Sequence, residues 1–281
     1  MKEDDNEKYL NWPSIDPFQE QKKWMAEGIE VGLVSANRDA KKVQREFLSK
    51  MFIGIFKLTG FILSSLFSQK NRTKITKEIS PYQTPWLPIW PRLSALPFHN
   101  EKPNWVQLLE ENYPAIQAEL LALKEDNNDT FERAVYDGFK GKPWTAKYFH
   151  LFGKPVDKTH QSCPITSEIL KKIPHNSMHT CFSCIPPGGA LPPHVGPTNT
   201  SLVCHLGLIN CEQSAIFSGN QFKIYEEGKT LILDDSFIHG AKNTSDQPRY
   251  TLMLSFWHPE LSLPEKKCLQ WLYRLLSPIT K

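Results

Sequence analysis

From Ser177 onward the sequence is a series of short runs rich in β-branched, aromatic and cysteine residues, separated by Gly, Pro, Asn and Asp. The runs include HTCFSCI, TSLVCHLGLI, SAIFS, FKIYEEGKTLILDD and RYTLMLSFW. Short strands that alternate with turn signals are typical of an all-β sandwich or a jelly roll. The 22 prolines outnumber the 14 glycines, which suits turns and strand edges better than a helical bundle. The pattern predicts five or six strands and a mainly β core.

Helices are predicted before this β region. An amphipathic helix begins at Trp105 and runs through NWVQLLEENYPAIQAELLALKED, where Pro114 either kinks it or divides it in two. A second, short helix lies between the prolines of CPITSEILKKIP. Residues 131–152 mix aromatic residues with glycine and predict short strands and turns. We therefore expect an α+β fold with supporting helices on the N-terminal side of a β core.

Residues 51–68, MFIGIFKLTGFILSSLFS, are the most apolar stretch of the chain, with Lys57 in the middle and basic residues on both flanks. A membrane span needs roughly 20 apolar residues, so this stretch is short for one. Apolar residues at helical spacing between basic flanks also fit a helix in the membrane interface. A helix packed on the rest of the protein, or in a dimer, fits equally well. The sequence leaves these three structures open.

Charge and cysteine content limit the classes of function. The net charge of +3 is mild and spread along the chain, so we expect no nucleic-acid partner. The first residues, MKEDDNEKYLNW, are acidic and polar. We therefore expect no cleavable signal peptide and a cytoplasmic protein, which would be membrane-associated if residues 51–68 bind lipid. In that compartment we expect the thiols to be free. Cys181 and Cys184 form a C-x-x-C without a second such pair, which indicates buried, inert cysteines better than a zinc site.

Three histidines stand at chemically informative places in the β region. His194 follows Pro192-Pro193, His205 lies within SLVCHLGLI, and His239 follows the apolar run LILDDSFI. Mononuclear non-haem iron sites use two imidazoles and leave other coordination positions open. In a jelly roll, histidines on an early and a later strand can meet inside the barrel. His194 and His239 are therefore candidate iron ligands, although structural histidines would explain the spacing as well.

Arg249 begins the last predicted strand, RYTLMLSFW, ten residues after His239. An arginine offers the planar, bidentate fork that a carboxylate matches. A surface ion pair is the alternative role. A position beside an apolar strand favours ligand binding, because an unpaired charge is costly there.

The segments FSCIPPGGALPPHVGPTNTSLVCHLGLI, YEEGKTLILDDSFIHGA and RYTLMLSFWHPEL resemble the aspartyl/asparaginyl β-hydroxylase family of Fe(II)/2-oxoglutarate dioxygenases. WVQLLEENYPAIQAELLAL and CPITSEILKKIP look similar to the leading helices of that family, so the resemblance extends from about residue 90 to residue 262. It implies a double-stranded β-helix of the jelly-roll or cupin-like type, and Fe(II), 2-oxoglutarate and O2 as cofactor and co-substrates.

The resemblance also implies the roles of individual residues. His194 and His239 would bind iron, Arg249 and Ser183 would bind the distal carboxylate of 2-oxoglutarate, and His205 would contact its chelating end. Asp234 and Asp235 are expected to form the turn that presents His239, or to support the ligands, rather than to bind the metal.

Gly196 occupies the position two residues after His194, where many iron dioxygenases have a carboxylate ligand. The family resembled also has glycine there, so hydroxylation remains expected, with halogenation at the open position as the alternative. A non-catalytic cupin-like binding protein is a second alternative, and a membrane-associated adaptor that works through residues 51–68 is a third.

Ser201 and Val203 share the strand face of His205, because side chains alternate with period two. Arginines are expected on this face in the family. The uncharged pocket therefore predicts a neutral substrate: an amide side chain, a small molecule or a lipid-like chain.

Three regions are expected along the chain. Residues 1–85 form an N-terminal extension, residues 86–265 the double-stranded β-helix dioxygenase domain, and residues 266–281 a C-terminal helix. The expected partners are a small-molecule, peptide or lipid substrate, with peripheral membrane contact if residues 51–68 lie in the interface. The sequence does not predict the oligomeric state.

Overall fold

The computed structural model of the protein describes residues 82–276, except residues 86, 88, 91, 126–130, 135–143 and 220. Residues 1–81, which include the apolar stretch 51–68, lie outside the described residues, so the three structures considered for that stretch stay predictions. Among the described helices, none is long and apolar enough to span a membrane.

Eleven strands are present in the described part of the chain, and they form two antiparallel sheets. Seven strands form the large sheet, in the order β1-β2-β4-β11-β6-β9 with β3 paired to β2, and four form the small sheet, in the order β5-β10-β7-β8. The bounds are β1 Glu132–Arg133, β2 Thr145–Leu151, β3 Lys154–Pro155, β4 His175–Ile185, β5 Ala190–His194, β6 Ser201–Ile209, β7 Ser214–Ser218, β8 Gln221–Ile224, β9 Thr230–Leu233, β10 His239–Asn243 and β11 Arg249–Trp257.

The expected number of strands was too low. Eight strands, β4 to β11, follow residue 174, where five or six were predicted. The short segments ALPPH and HGAKN form β5 and β10 of their own. β5 contains two prolines, which lack the N–H that a central strand needs. The prolines are tolerated because β5 is an edge strand of the small sheet.

The helices are α1 Trp105–Glu111, α2 Tyr113–Glu125, α3 Asp157–Ser162, α4 Pro164–Lys171 and α5 Leu263–Leu276. The predicted helix from Trp105 is divided, with Pro114 in the first turn of α2. Proline fits there because the first N–H groups of a helix have no intrahelical acceptor. The sequence predicted α4 but not α3.

The outer face of the large sheet forms the main apolar core with α1, α2 and α4. Leu109, Ile116 and Leu120 from the helices are fully buried against Phe182 and Leu252 of the sheet. The alternation of side chains along each strand sends the intervening residues to the opposite, inner face. The helices therefore cover one face of the sheet and leave the inner face to the site.

A second cluster lies between the two sheets, with Val203 and Met253 from the large sheet and Leu191, Ile216 and Ala241 from the small one. Two antiparallel sheets that enclose a common interior form the expected double-stranded β-helix, so the prediction of a mainly β core with supporting helices is confirmed. The six cysteines are free, and all but the half-buried Cys268 are buried.

Candidate functional site

His194 and His239 lie side by side in the small sheet. His194 ends β5, His239 begins β10, and the two residues are direct register partners of the antiparallel pair. Their ring centroids are 4.1 Å apart with the ring planes inclined by 53°. Two residues far apart in the chain thus present their imidazoles at one point of the barrel interior, as a shared metal ion requires.

The protonation state of His239 suits a metal ligand. Its Nδ1 lies 2.9 Å from the carbonyl oxygen of Phe237. Since a carbonyl only accepts hydrogen bonds, Nδ1 is the protonated nitrogen and Nε2 keeps its lone pair. Burial, and next the neighbouring His194, hold the pKa of His239 well below its usual range. The imidazole therefore stays neutral and able to bind a cation.

The turn before His239 is built by two aspartates in different ways. The carboxylate of Asp234 accepts hydrogen bonds from the backbone N–H and the hydroxyl of Ser236, which makes it turn-forming as expected. Asp235 is half-buried with its Oδ1 atom enclosed, and desolvation together with the nearby Asp234 raises the pKa of its carboxyl group well above the usual range. Its carbonyl oxygen accepts a hydrogen bond of 2.6 Å from Gly196 N–H.

Gly196 has no room for a side chain in this arrangement. A Cβ atom built on Gly196 would overlap the carboxylate of Asp235. A carboxylate ligand two residues after His194 would need this space. The carboxyl group of Asp235, from the loop before His239, fills it instead. Among the described residues, no group of three His, Cys, Asp or Glu side chains is arranged to hold a metal ion.

Arg249 is a buried cation that forms no ion pair within the described part of the chain. It is 1% exposed at the start of β11. Its Nη1 donates to the hydroxyl of Thr251 at 2.9 Å, and its guanidinium carbon lies 4.5 Å from the ring centroid of Tyr225. Its Nε is buried without a hydrogen-bond acceptor, and no carboxylate of the described residues forms an ion pair with it. A buried guanidinium with an unused donor fits an anionic ligand.

Ser183 lies near Arg249 on the inner face of the large sheet, as the register partner of Thr251. Its hydroxyl oxygen accepts a hydrogen bond of 2.9 Å from the indole Nε1 of Trp144. Because the indole can only donate, the hydroxyl hydrogen of Ser183 remains for an acceptor in the pocket. Trp144 is thus a further residue of the site that the sequence analysis missed.

Tyr225 is the second missed residue, and it contacts two predicted ones. It is 1% exposed, its hydroxyl oxygen lies 3.2 Å from Nδ1 of His205, and its ring lies against Arg249. Burial, and then the charge of Arg249, lower the pKa of His205 to about 3, so this imidazole is neutral at physiological pH. Tyr225 stands in the quoted motif YEEGK, but the motif itself does not indicate where its side chain points.

The face of β6 before His205 is neutral in the structure. Val203 belongs to the cluster between the sheets, and Ser201 is buried. The hydroxyl of Ser201 accepts a hydrogen bond of 2.7 Å from the side-chain amide of Asn176, whose oxygen accepts one of 2.6 Å from Ser255. No charged side chain takes part in these contacts, so this wall offers hydrogen bonds and apolar surface only.

The residues present fit an iron ion and a dicarboxylate co-substrate. Two adjacent imidazoles, one of them with its tautomer defined by a backbone carbonyl, are suitable iron ligands. The unused donor of Arg249 and the available hydroxyl of Ser183 suit a carboxylate. The structure brings His194 together with His239, and Ser183, His205 and Arg249 together on the inner face of the large sheet.

Comparison with known proteins shows the family. A model of the family described as aspartyl/asparaginyl beta-hydroxylase matches residues 110–259, which is more than half of the chain and includes every residue of the site described above. Aspartate beta-hydroxylase domain-containing protein 2 of Rattus norvegicus is 30% identical over 198 residues, which cover 67% of this chain and 57% of that protein.

Two further relatives differ in their named reactions. The ornithine lipid ester-linked acyl 2-hydroxylase of Rhizobium tropici is 36% identical over 163 residues, covering 55% of this chain and 58% of that protein. The human aspartyl/asparaginyl beta-hydroxylase is 30% identical over 169 residues, covering 58% of this chain and 22% of that protein. The chain thus spans little more than half the length of the rat and Rhizobium proteins. On the family match, this chain belongs to the aspartyl/asparaginyl β-hydroxylase family.

Proposed function

We propose that this protein is an Fe(II)/2-oxoglutarate-dependent dioxygenase that hydroxylates an unactivated C–H bond of a neutral substrate, with release of succinate and CO2. The observation that supports this proposal best is Arg249, a buried guanidinium with an unused donor and no acidic partner among the described residues. It shares a barrel interior with two adjacent imidazoles. A carboxylate co-substrate would satisfy a charge that the described residues leave unpaired.

His194 and His239 would hold the iron. Bound there, iron supplies, with 2-oxoglutarate and O2, the chemistry that oxidises a C–H bond. Burial keeps His239 neutral, and its hydrogen bond to Phe237 holds the ring with Nε2 available. These two effects prepare the ligand before the metal arrives, so little reorganisation is needed on binding.

Arg249, Ser183 and His205 would hold 2-oxoglutarate. Arg249 and Ser183 would donate to its distal carboxylate, and the neutral His205 would contact its chelating end. The indole N–H of Trp144 donates to the hydroxyl oxygen of Ser183, which leaves the hydroxyl hydrogen of Ser183 to donate to the co-substrate. Tyr225 lies against Arg249 and within hydrogen-bonding distance of His205, so it keeps both groups in place.

The substrate side of the pocket supports a neutral substrate. Val203 and Ser201 would bind it through apolar contact and a hydroxyl group, and a free carboxylate buried there would find no cation among the described contacts of this wall. An amide side chain, a neutral small molecule or a lipid-like chain meets this condition. The Rhizobium relative is named for the ester-linked acyl chain of a lipid, and peripheral membrane contact through residues 51–68 would bring such a substrate to the site.

Anaerobic titration of the full chain with Fe(II) and 2-oxoglutarate tests the iron site. We expect a weak visible charge-transfer absorption in the wild type and its loss in His194→Ala. His160→Ala is the matched control, since His160 lies in α3 against Phe149, away from the site. The proposal is wrong if the wild type shows no absorption, or if His194→Ala and His160→Ala behave alike.

Succinate release measured against neutral peptides, acyl lipids and free amino acids then tests turnover. A non-catalytic binding protein predicts ligand binding without succinate under all of these substrates. Chloride in the same assay tests halogenation at the position beside Gly196. We expect hydroxylated products only, because the Asp235 carboxyl group fills the space next to Gly196.

A further inference from the structure

Residues 82–99, which we term the strap, precede the part of the chain that the family model matches, residues 110–259. The strap is rich in proline, and its described residues form no regular helix or strand. Part of the strap packs near the C-terminal helix, where Leu93 lies against Leu261 and Leu269, and other parts are hydrogen-bonded to the two loops that carry the histidines. These loops are residues 195–200, after His194, and residues 234–238, before His239.

The first half of the strap is hydrogen-bonded to the loop before His239. Ile238 N–H donates to the carbonyl of Tyr82 at 2.8 Å, and Thr84 N–H donates to the carbonyl of Ser236 at 3.0 Å. Between them, Gln83 and Phe237 form an antiparallel bridge. These bonds pair the backbone immediately before His239 with the strap.

The middle of the strap is bonded to the loop after His194. Leu87 N–H donates to the carbonyl of Pro197 at 2.8 Å. The side chain of Asn199 makes two bonds to the backbone of Trp90: its oxygen accepts from the N–H at 2.8 Å, and its amide donates to the carbonyl at 2.9 Å. One continuous segment thus ties together the loops of both candidate iron ligands.

The side chain of Gln83 reaches into the aspartate turn. It is 4% exposed, and its amide Nε2 lies 3.1 Å from Oδ2 of Asp234 and 3.0 Å from the hydroxyl oxygen of Ser236. Ser236 donates its own hydroxyl hydrogen to the other oxygen of Asp234, so Gln83 is the donor in both of its contacts. A neutral side chain outside the family match therefore supplies donors to a buried carboxylate that shapes the turn into His239.

The end of the strap follows the edge of the large sheet. Phe98 forms a bridge to Leu233, His99 N–H donates to the carbonyl of Ile232 at 2.9 Å, and Asp234 N–H donates to the carbonyl of Pro97 at 3.2 Å. β9 is the last strand of that sheet, so these bonds cover an edge that would otherwise be open. The strap is held at this end independently of its contacts with the histidine loops.

We propose that the strap is part of the metal centre and that Gln83 is a positioning residue, which sets the geometry of His239 through the Asp234–Ser236 turn. This inference rests on the proposed function, since it assumes that His194 and His239 bind the metal. Residues that support metal ligands through hydrogen bonds typically change metal affinity about 10- to 100-fold when they are lost.

Titration of the full chain with Co(II), followed by visible absorption, tests the proposal without turnover. Gln83→Ala is expected to weaken Co(II) binding about 10-fold and to change the d–d absorption, because the ligand geometry loosens. Leu96→Ala is the matched control. Leu96 is in the same strap but is 49% exposed. The Co(II) affinity and spectrum of the Leu96→Ala variant are therefore expected to equal those of the wild type.

Gln83→Met keeps the length of the side chain and removes the donor, so it tests the same bond if the alanine variant folds poorly. A purely structural role would lower the melting temperature of the metal-free protein and leave Co(II) affinity below that temperature unchanged. If both Gln83 variants bind Co(II) with the affinity and spectrum of the wild type, the strap inference is wrong while the iron site stands. If the wild type does not bind Co(II), or His194→Ala binds it as well, the proposed function fails and the strap inference with it.

Discussion

Replacement of Arg249 by methionine separates stability from co-substrate binding, because the two are expected to change in opposite directions. Arg249 is 1% exposed, donates to Thr251 as its one side-chain hydrogen bond to a described residue, and leaves Nε unused. Its removal forfeits that bond, worth about 1 kcal/mol, and the contact with the Tyr225 ring, worth about 1–2 kcal/mol. The unfavourable burial of an unpaired charge is removed at the same time. Exchange of buried ionic groups for apolar ones of similar size is often neutral or stabilising by about 1–4 kcal/mol.

The effect on 2-oxoglutarate is expected to be large. Truncation of one partner of a buried, hydrogen-bonded charge pair costs about 2–5 kcal/mol, which corresponds to roughly a 30- to 4,000-fold loss of affinity. Thermal unfolding with Mn(II), with and without 2-oxoglutarate, measures both quantities. At a ligand concentration about 100 times its Kd the wild type gains about 2.7 kcal/mol, or roughly 5–11 °C in melting temperature. At the same ligand concentration, a loss of affinity of about 30-fold or more leaves Arg249→Met at most about 0.9 kcal/mol of this gain, and its melting temperature without ligand is expected to equal or exceed that of the wild type.

Arg249→Lys keeps a cation but loses the bidentate fork, so it should retain a reduced ligand-induced rise. The reasoning is refuted if Arg249→Met unfolds well below the wild type without ligand yet shows the full rise with it. That result would make Arg249 a structural cation whose partner is the protein itself.

Three further changes test other parts of the structure. Tyr225→Phe keeps the ring beneath the guanidinium but removes the hydroxyl near His205, so 2-oxoglutarate affinity, measured by the same thermal shift, should fall by about 3- to 10-fold; an unchanged affinity would show that this contact is incidental. Gly196→Ala places a methyl group against the Asp235 carboxylate, and overpacking of this kind costs about 1–3 kcal/mol in urea denaturation; equal stability of Gly196→Ala and wild type would mean that Asp235 moves freely. Burial, followed by two neighbouring histidines, lowers the pKa of His150 to about 4. The unfolded chain therefore takes up the proton first as the pH drops below the ordinary histidine value. The free energy of unfolding should fall between that pH and about 4. His150→Gln should lose part of that dependence in denaturation at pH 7.5 and 5, and an identical pH profile would contradict the pKa shift.

Local patterns predicted much of the architecture. Strand runs separated by turn residues indicated the β core, and Pro114 indicated a kink or a division of the first helix, of which the structure shows the division. Two of the strands were not predicted, because the prolines of β5 and the short polar β10 are local signals for turns. Their pairing depends on a partner strand far away in the chain, and local propensity does not contain that information.

The amino-acid sequence by itself determined the residue types of the site and their family: two histidines, an arginine at the head of the last strand, and a glycine where a carboxylate would otherwise stand. Period-two alternation also placed Ser201 and Val203 on the face of His205. Only the tertiary structure decided that His194 and His239 are register partners, that Asp235 fills the space beside Gly196, and that Tyr225, Trp144 and Gln83 support the site. Alternation along a strand specifies which face a side chain takes, whereas contacts across sheets and loops depend on how distant segments pair, and that follows from packing of the whole domain.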